Sequence, residues 1–176
     1  MITRQRRIAL AAGVAVLALL AGAATAWWTA RAESSNASTA EMWKMRFDRP
    51  QGGQLAMADW RGKPIIINFW ATWCAPCVKE LPEVDRFQRE VATARGVQVI
   101  GLAVDKADAV QSFLSRMKLG FPIGLAGLDG TDLINQLGNL QGGLPFSVMI
   151  DANGRVVHSR LGETSYAELK SWAEKQ

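Results

Sequence analysis

The chain has 176 residues, room for one domain and little more. Hydrophobic residues make up 49% of it and charged residues 20%, a balance that excludes extensive disorder. The net charge of +4 is concentrated in residues 1–40, where four arginines stand against Glu33; the remainder has 16 basic and 15 acidic residues, which gives no support to a nucleic-acid surface.

Ile8–Ala30 is a run of 23 residues without a charge, enough helix to cross a bilayer core of about 30 Å. Arg4, Arg6 and Arg7 precede it and Trp27–Trp28 lie at its far end, the pattern of an anchor with its N-terminus in the cytoplasm. Residues 1–30 are therefore read as a cytoplasmic stub and transmembrane anchor. The competing reading is a cleaved signal peptide ending at Ala24-Thr25-Ala26, and Arg6-Arg7 carries a hint of twin-arginine export. Both place the rest of the chain in an oxidising compartment. Residues 31–41 are small and polar, as in a linker, and 42–176 form the domain.

Within the domain, Trp43–Trp60 reads as two short strands around a Gln-Gly-Gly turn, with a second turn at Asp59–Lys63. Residues 64–71, PIIINFWA, form a continuous apolar run expected of a strand buried on both faces. Val78, Leu81, Val84, Phe87 and Val91 then recur at helical spacing toward Arg95, with Pro82 expected to kink the helix. Another buried strand follows at 97–105, a helix at Asp108–Leu119, and a short strand or loop at FPIGLA. A short helix over Thr131–Leu137 is expected to be capped by Thr131 or Asp132. FSVMID (146–151) and RVVHSRL (155–161) flank Ala152-Asn153-Gly154 as an antiparallel hairpin, and a last helix starts near Ser165 with a capping box to Glu168. The order predicts a mixed sheet with helices on both faces.

The only two cysteines, Cys74 and Cys77, stand three apart in FWATWCAPCVKELP. A bridge across so small a loop removes little unfolded-state entropy, so the spacing points to a reaction rather than a staple. Cys74 falls where the buried strand gives way to the helix, and unsatisfied amides with a partial positive charge stabilise a thiolate there. Cys74 is thus the expected exposed nucleophile and Cys77, one turn on, the resolving thiol. Pro76 suits the first helical turn. A structural zinc site wants four ligands, whereas two cysteines and His158 make three; His158 reads as a solvated or packed side chain.

FWATWCAPC, followed some seventy residues later by GLPFSVMID, resembles the thioredoxin superfamily. The anchor, the leading hairpin, CVKELP and LGFPI narrow the resemblance to the TlpA/ResA group of membrane-tethered extracytoplasmic thiol:disulfide oxidoreductases, within the redoxin/AhpC–TSA-like branch. It implies an α/β thioredoxin fold with an N-terminal β-hairpin and a helix-containing insert at roughly Lys106–Gly138, preceded by one transmembrane helix. It makes Pro145 a cis-proline facing the pair, with the backbone of Leu144 receiving a partner peptide as an added strand. Trp73, Ala75, Pro76 and Leu144 are the implied substrate contacts; Cys74, Cys77, Glu80 and Pro145 are the implied catalytic set.

The same resemblance implies no cofactor beyond the dithiol and no metal. Implied partners are disulfide-bearing extracytoplasmic proteins, such as apocytochrome c or copper-assembly proteins, and a membrane electron donor of the CcdA/DsbD type. Thioredoxin has a buried Asp where this chain has Asn68, which accepts no proton from Cys77. Glu80 matches the group's acidic residue three beyond the second cysteine and is a candidate proton shuttle for Cys77, against the plainer reading of a solvated helix charge. Trp70 is read as framing the site or as core, and Phe146 stands where the family often has Thr, an expected change in partner choice. Two rival activities have weaker support. A peroxide reductase places Thr and Pro where this chain has Ala71 and Ile67. A copper-delivery protein favours a longer cysteine spacing, although His158, 81 residues beyond Cys77, keeps the comparison open.

Overall fold

The computed structural model describes residues 18–27, 39–127 and 130–175. Residues 18–27 are helical, with Leu19, Leu20 and Trp27 exposed. The remainder of the expected anchor and most of the expected linker lie outside the described residues, among which no helix is long and apolar enough to cross a membrane. Packing in the domain reaches back to Thr39, in a helical turn over 39–42, where its buried hydroxyl donates to the Gly154 carbonyl at 2.6 Å.

Seven strands make one sheet: β1 (Arg46–Asp48), β2 (Gln54–Ala56), β3 (Ile65–Trp70), β4 (Gln98–Ala103), β5 (Ile123–Leu125), β6 (Phe146–Ile150) and β7 (Val156–Leu161), in the order β2-β1-β5-β4-β3-β6-β7. The central strands β3, β4 and β5 run parallel, and β6 returns antiparallel to β3, so the sheet is mixed as expected. The leading hairpin turns at Gly52 and Gly53, whose positive φ angles of 91° and 80° favour glycine, and joins the far edge by pairing Asp48 with Leu125. The second expected turn begins as a 3-10 turn over Met57–Trp60.

All six residues of β3 are buried, because its alternating side chains enter two separate cores. Ile66 and Trp70 meet helices α1 (Ala75–Phe87), α2 (Ala107–Arg116) and α4 (Tyr166–Ala173). Ile65, Ile67 and Phe69 meet helix α3 (Gly130–Gln136) and the segment holding Met42, Trp43 and Met57 on the other face. Crossovers between parallel strands need such covering helices, and α2, β5 and α3 together supply the expected insert between β4 and β6.

Three local expectations change. Helix α1 continues through Pro82, and its irregularity comes later, as a π turn over Gln88–Ala92 and a 3-10 turn over Thr93–Arg95. There the Gln88 side chain accepts the Val99 amide at 3.0 Å, tying the helix end to β4. Helix α3 is already formed at Gly130, so Thr131 and Asp132 sit inside its first turn and not at its cap. Gly130 is required by crowding, since a Cβ there would lie 2.7 Å from that of Ala126. Ser165 caps α4 by accepting the Glu168 amide at 3.3 Å, while the Glu168 carboxylate turns toward Arg160 instead of closing the box.

Candidate active site

Strand β3 delivers the chain to the C-terminal edge of the sheet, where α1 begins. Cys74 is the N-cap of that helix, and its Sγ accepts the Cys77 amide at 3.3 Å; Pro76 occupies the first turn, where no amide hydrogen is needed. The two sulfurs form a disulfide. Cys74, expected to be exposed, retains only 6% of its surface, against 0% for Cys77, so access to the pair is narrow and on the Cys74 side. Trp73 beside it is 69% exposed, and Ala75 and Pro76 are exposed as well.

The Leu144–Pro145 peptide bond is cis. Leu144 is half-buried and packs against the core cluster that contains both cysteines. Its neighbours are engaged: Gly143 O accepts from the Asn139 side chain at 2.8 Å and Pro145 O accepts from Gly162 N at 2.9 Å. The Leu144 N–H and C=O have no hydrogen-bond partner among the described residues, leaving one residue's worth of strand-pairing capacity open.

Glu80 lies one turn after Cys77 and is 2% exposed, which overturns the solvated-charge reading. One carboxylate oxygen accepts from Asn68 Nδ2 at 2.6 Å; the other accepts from the Thr164 backbone amide at 2.6 Å and the Thr164 hydroxyl at 3.0 Å. Asn68 Nδ2 also donates to Ser147 Oγ at 3.0 Å, and Ser147 and Thr164 hydroxyls lie 3.4 Å apart. Burial pushes the Glu80 carboxyl above its ordinary range, the hydrogen bonds from Thr164 and Asn68 pull it part of the way back, and the nearby charge of Glu163 adds to the rise. The result is a carboxylate with an unusual affinity for a proton, on the same helix face as Cys77.

Sequence reasoning singled out Asn68 and Glu80 but missed Ser147 and Thr164. A signal for Ser147 existed: Asn68 and Ser147 are the polar residues inside two otherwise apolar buried strands, and they are direct partners across β3 and β6. Thr164, in the loop before α4, carried no comparable mark.

The remaining candidates sort by position. Trp70 is fully buried with its ring 5.2 Å from Phe113, so it belongs to the core. Phe146 stacks on Phe69 at 5.9 Å inside the opposite core, which removes its side chain from partner contact. His158 stacks on Trp172 at 5.5 Å; burial and then the charge of Lys175 lower its pKa. Among the described residues there is no group of three or more His, Cys, Asp or Glu able to hold a metal ion. Ala71 and Ile67, where a peroxide reductase needs Thr and Pro, are buried apolar residues.

A mixed sheet with a disulfide at the start of its first long helix, and a cis-proline just before the antiparallel strand β6, defines a thioredoxin-fold protein whose redox group is the cysteine pair itself. The chain belongs to the Redoxin family, whose profile matches residues 38–173. It is similar to the thiol-disulfide oxidoreductase ResA of Bacillus thuringiensis (strain Al Hakam), 34% identical over 126 residues that cover 71% of this chain and 70% of the relative. ResA of Geobacillus thermodenitrificans (strain NG80-2) is 31% identical, covering 70% and 69%. Among solved structures, a thiol:disulfide interchange protein of the thioredoxin family from Chlorobium tepidum TLS superposes with a TM-score of 0.64 at 28% identity, over 74% of this chain and 91% of that one. The protein is accordingly a thiol:disulfide oxidoreductase acting through Cys74 and Cys77.

Proposed function

We propose that this oxidoreductase is tethered to the cell membrane by residues 1–30, with its domain on the extracytoplasmic side, and that it reduces disulfides in partner proteins there. The observation that carries the reading is the pair at the start of α1, with Cys74 capping the helix; the Leu144 backbone, without a hydrogen-bond partner among the described residues, supplies the strand-pairing capacity.

In the reduced protein the Cys74 thiolate attacks one sulfur of a partner's disulfide, and the partner's other sulfur leaves as a thiolate. The partner peptide lies against Leu144 as an added strand, with Trp73, Ala75 and Pro76 as apolar contacts. Glu80 takes the proton of Cys77. The Cys77 thiolate then attacks Cys74 Sγ, releases the partner's second sulfur as a thiolate, and closes the Cys74–Cys77 bond. Two electrons have passed to the partner, and a membrane dithiol protein of the CcdA/DsbD type restores the thiols. Cysteines awaiting haem in apocytochrome c, or copper in oxidase assembly, are the partner class that fits a reductant in this place.

Trapping tests the reading. Cys77→Ser expressed in cells should accumulate mixed disulfides through Cys74 with extracytoplasmic cysteine proteins, and Cys74→Ser/Cys77→Ser should accumulate none. Equal adducts from both variants, or adducts only with cytoplasmic proteins, would refute it.

A further inference from the structure

Residues 71–74 form the loop between β3 and α1, and everything proposed for Cys74 depends on that loop holding its sulfur at the head of the helix. The loop has one strong external attachment. Thr72 donates both its backbone amide, at 2.9 Å, and its hydroxyl, at 2.6 Å, to the same carboxylate oxygen of Asp105. The other oxygen of Asp105 accepts the Lys106 amide at 2.7 Å, just before α2. Asp105 follows β4, which runs parallel to β3 in register, Trp70 against Ala103, so the two loops leave the sheet side by side. Val104 N donating to Trp70 O at 2.8 Å closes the strands directly beneath.

We infer that Asp105 is a positioning residue for thiol exchange: through Thr72 it holds Cys74 as the cap of helix α1. The inference rests on Cys74 being the nucleophile. Charge and geometry pull in opposite directions here, and that makes the role separable. A carboxylate near a thiol disfavours its thiolate by like-charge repulsion, so removing Asp105's charge alone would make Cys74 ionise more easily. Freeing the loop has the opposite effect, because the sulfur anion loses its alignment with the helix amides. Asp105 itself stays ionised at neutral pH: partial burial works against its charge, but the bonds from Thr72 and Lys106 outweigh this and hold its carboxyl below the usual range.

The test measures Cys74 alkylation by iodoacetamide against pH in the reduced full-length chain, with hydrogen exchange of residues 72–77 as a second readout. Thr72→Val removes one of the two bonds without changing shape. It should shift the Cys74 titration to higher pH and lower its neutral-pH reactivity about fivefold, the scale of a lost cap interaction, while Thr72→Ser restores it. Asp105→Ala should shift the titration the same way despite losing a negative charge, and exchange at 72–77 should quicken in both variants. A shift of Asp105→Ala to lower pH, or unchanged titration and exchange in Thr72→Val, overturns the inference. If the unmodified chain has a Cys74 no more reactive than a free thiol, the nucleophile reading falls, and the exchange rates still decide whether Asp105 pins the loop.

Discussion

Replacing Glu80 probes the least ordinary feature of this fold, a carboxylate in the core beside a redox pair. Glu80→Ala strips partners from three buried donors. Asn68 Nδ2 keeps Ser147, and the Thr164 hydroxyl keeps a long contact to the same residue, but the Thr164 amide is left with nothing. An orphaned buried donor costs about 1–3 kcal/mol, and the cavity adds to it, so a loss of about 3 kcal/mol follows. Glu80→Gln is milder, about 1 kcal/mol, because its oxygen keeps Thr164 and the Asn68 amide can rotate its carbonyl, unpartnered in this structure, toward the new NH₂ group. Both variants remove the titrating carboxyl, so each differs from the original chain in pH dependence. The folded-state pKa of Glu80 is raised, so the group's favourable contribution is complete below the unfolded value and is lost as pH rises through the folded one. The stability gap between the original chain and Glu80→Gln should therefore narrow, or invert, as pH rises through and above the ordinary carboxylate range. Urea unfolding of the oxidised proteins at several pH values reads this directly. A gap that is constant over that range would refute the argument that burial, more than hydrogen bonding, governs this carboxyl.

Other outcomes follow from the packing. Gly101→Ala puts a Cβ 2.6 Å from Ile123 Cδ1 and 2.9 Å from Phe121, under the Trp70 ring, and should cost about 1–3 kcal/mol, seen as a lower Tm. Ser165→Ala removes the cap of α4 and should cost about 1 kcal/mol in denaturant unfolding, with no change in Cys74 reactivity. Trp73→Ala, at a side chain exposed beside Cys74, should slow exchange with a protein disulfide about tenfold while leaving a small disulfide such as oxidised glutathione nearly unaffected. Equal slowing of both substrates would show that Trp73 shapes the pair and not its partners.

Much of this molecule is legible one segment at a time. A strand that must be buried on both faces announces itself as PIIINFWA, a hairpin by its Gly-Gly turn, and a redox pair by two cysteines at a strand-to-helix junction; each signal lies within about ten residues and reflects local backbone preference or periodicity. The same reasoning left Glu80 open between a proton shuttle and a solvated charge, because a glutamate on a helix is solvated unless something distant covers it. Here the cover is Asn68 from β3, Ser147 from β6 and Thr164 from the loop before α4, up to 84 residues away in the chain. Phe146 went wrong for a related reason: its side chain belongs to whichever face of β6 the sheet register assigns, and the register turned it onto Phe69. The dithiol and the strand–helix junction that carries it were thus determined by the order of residues alone. The proton affinity of Glu80 and the pinning of the Cys74 loop by Asp105 came only with the closed sheet, since burial and hydrogen bonding between remote groups exist only after packing brings them together.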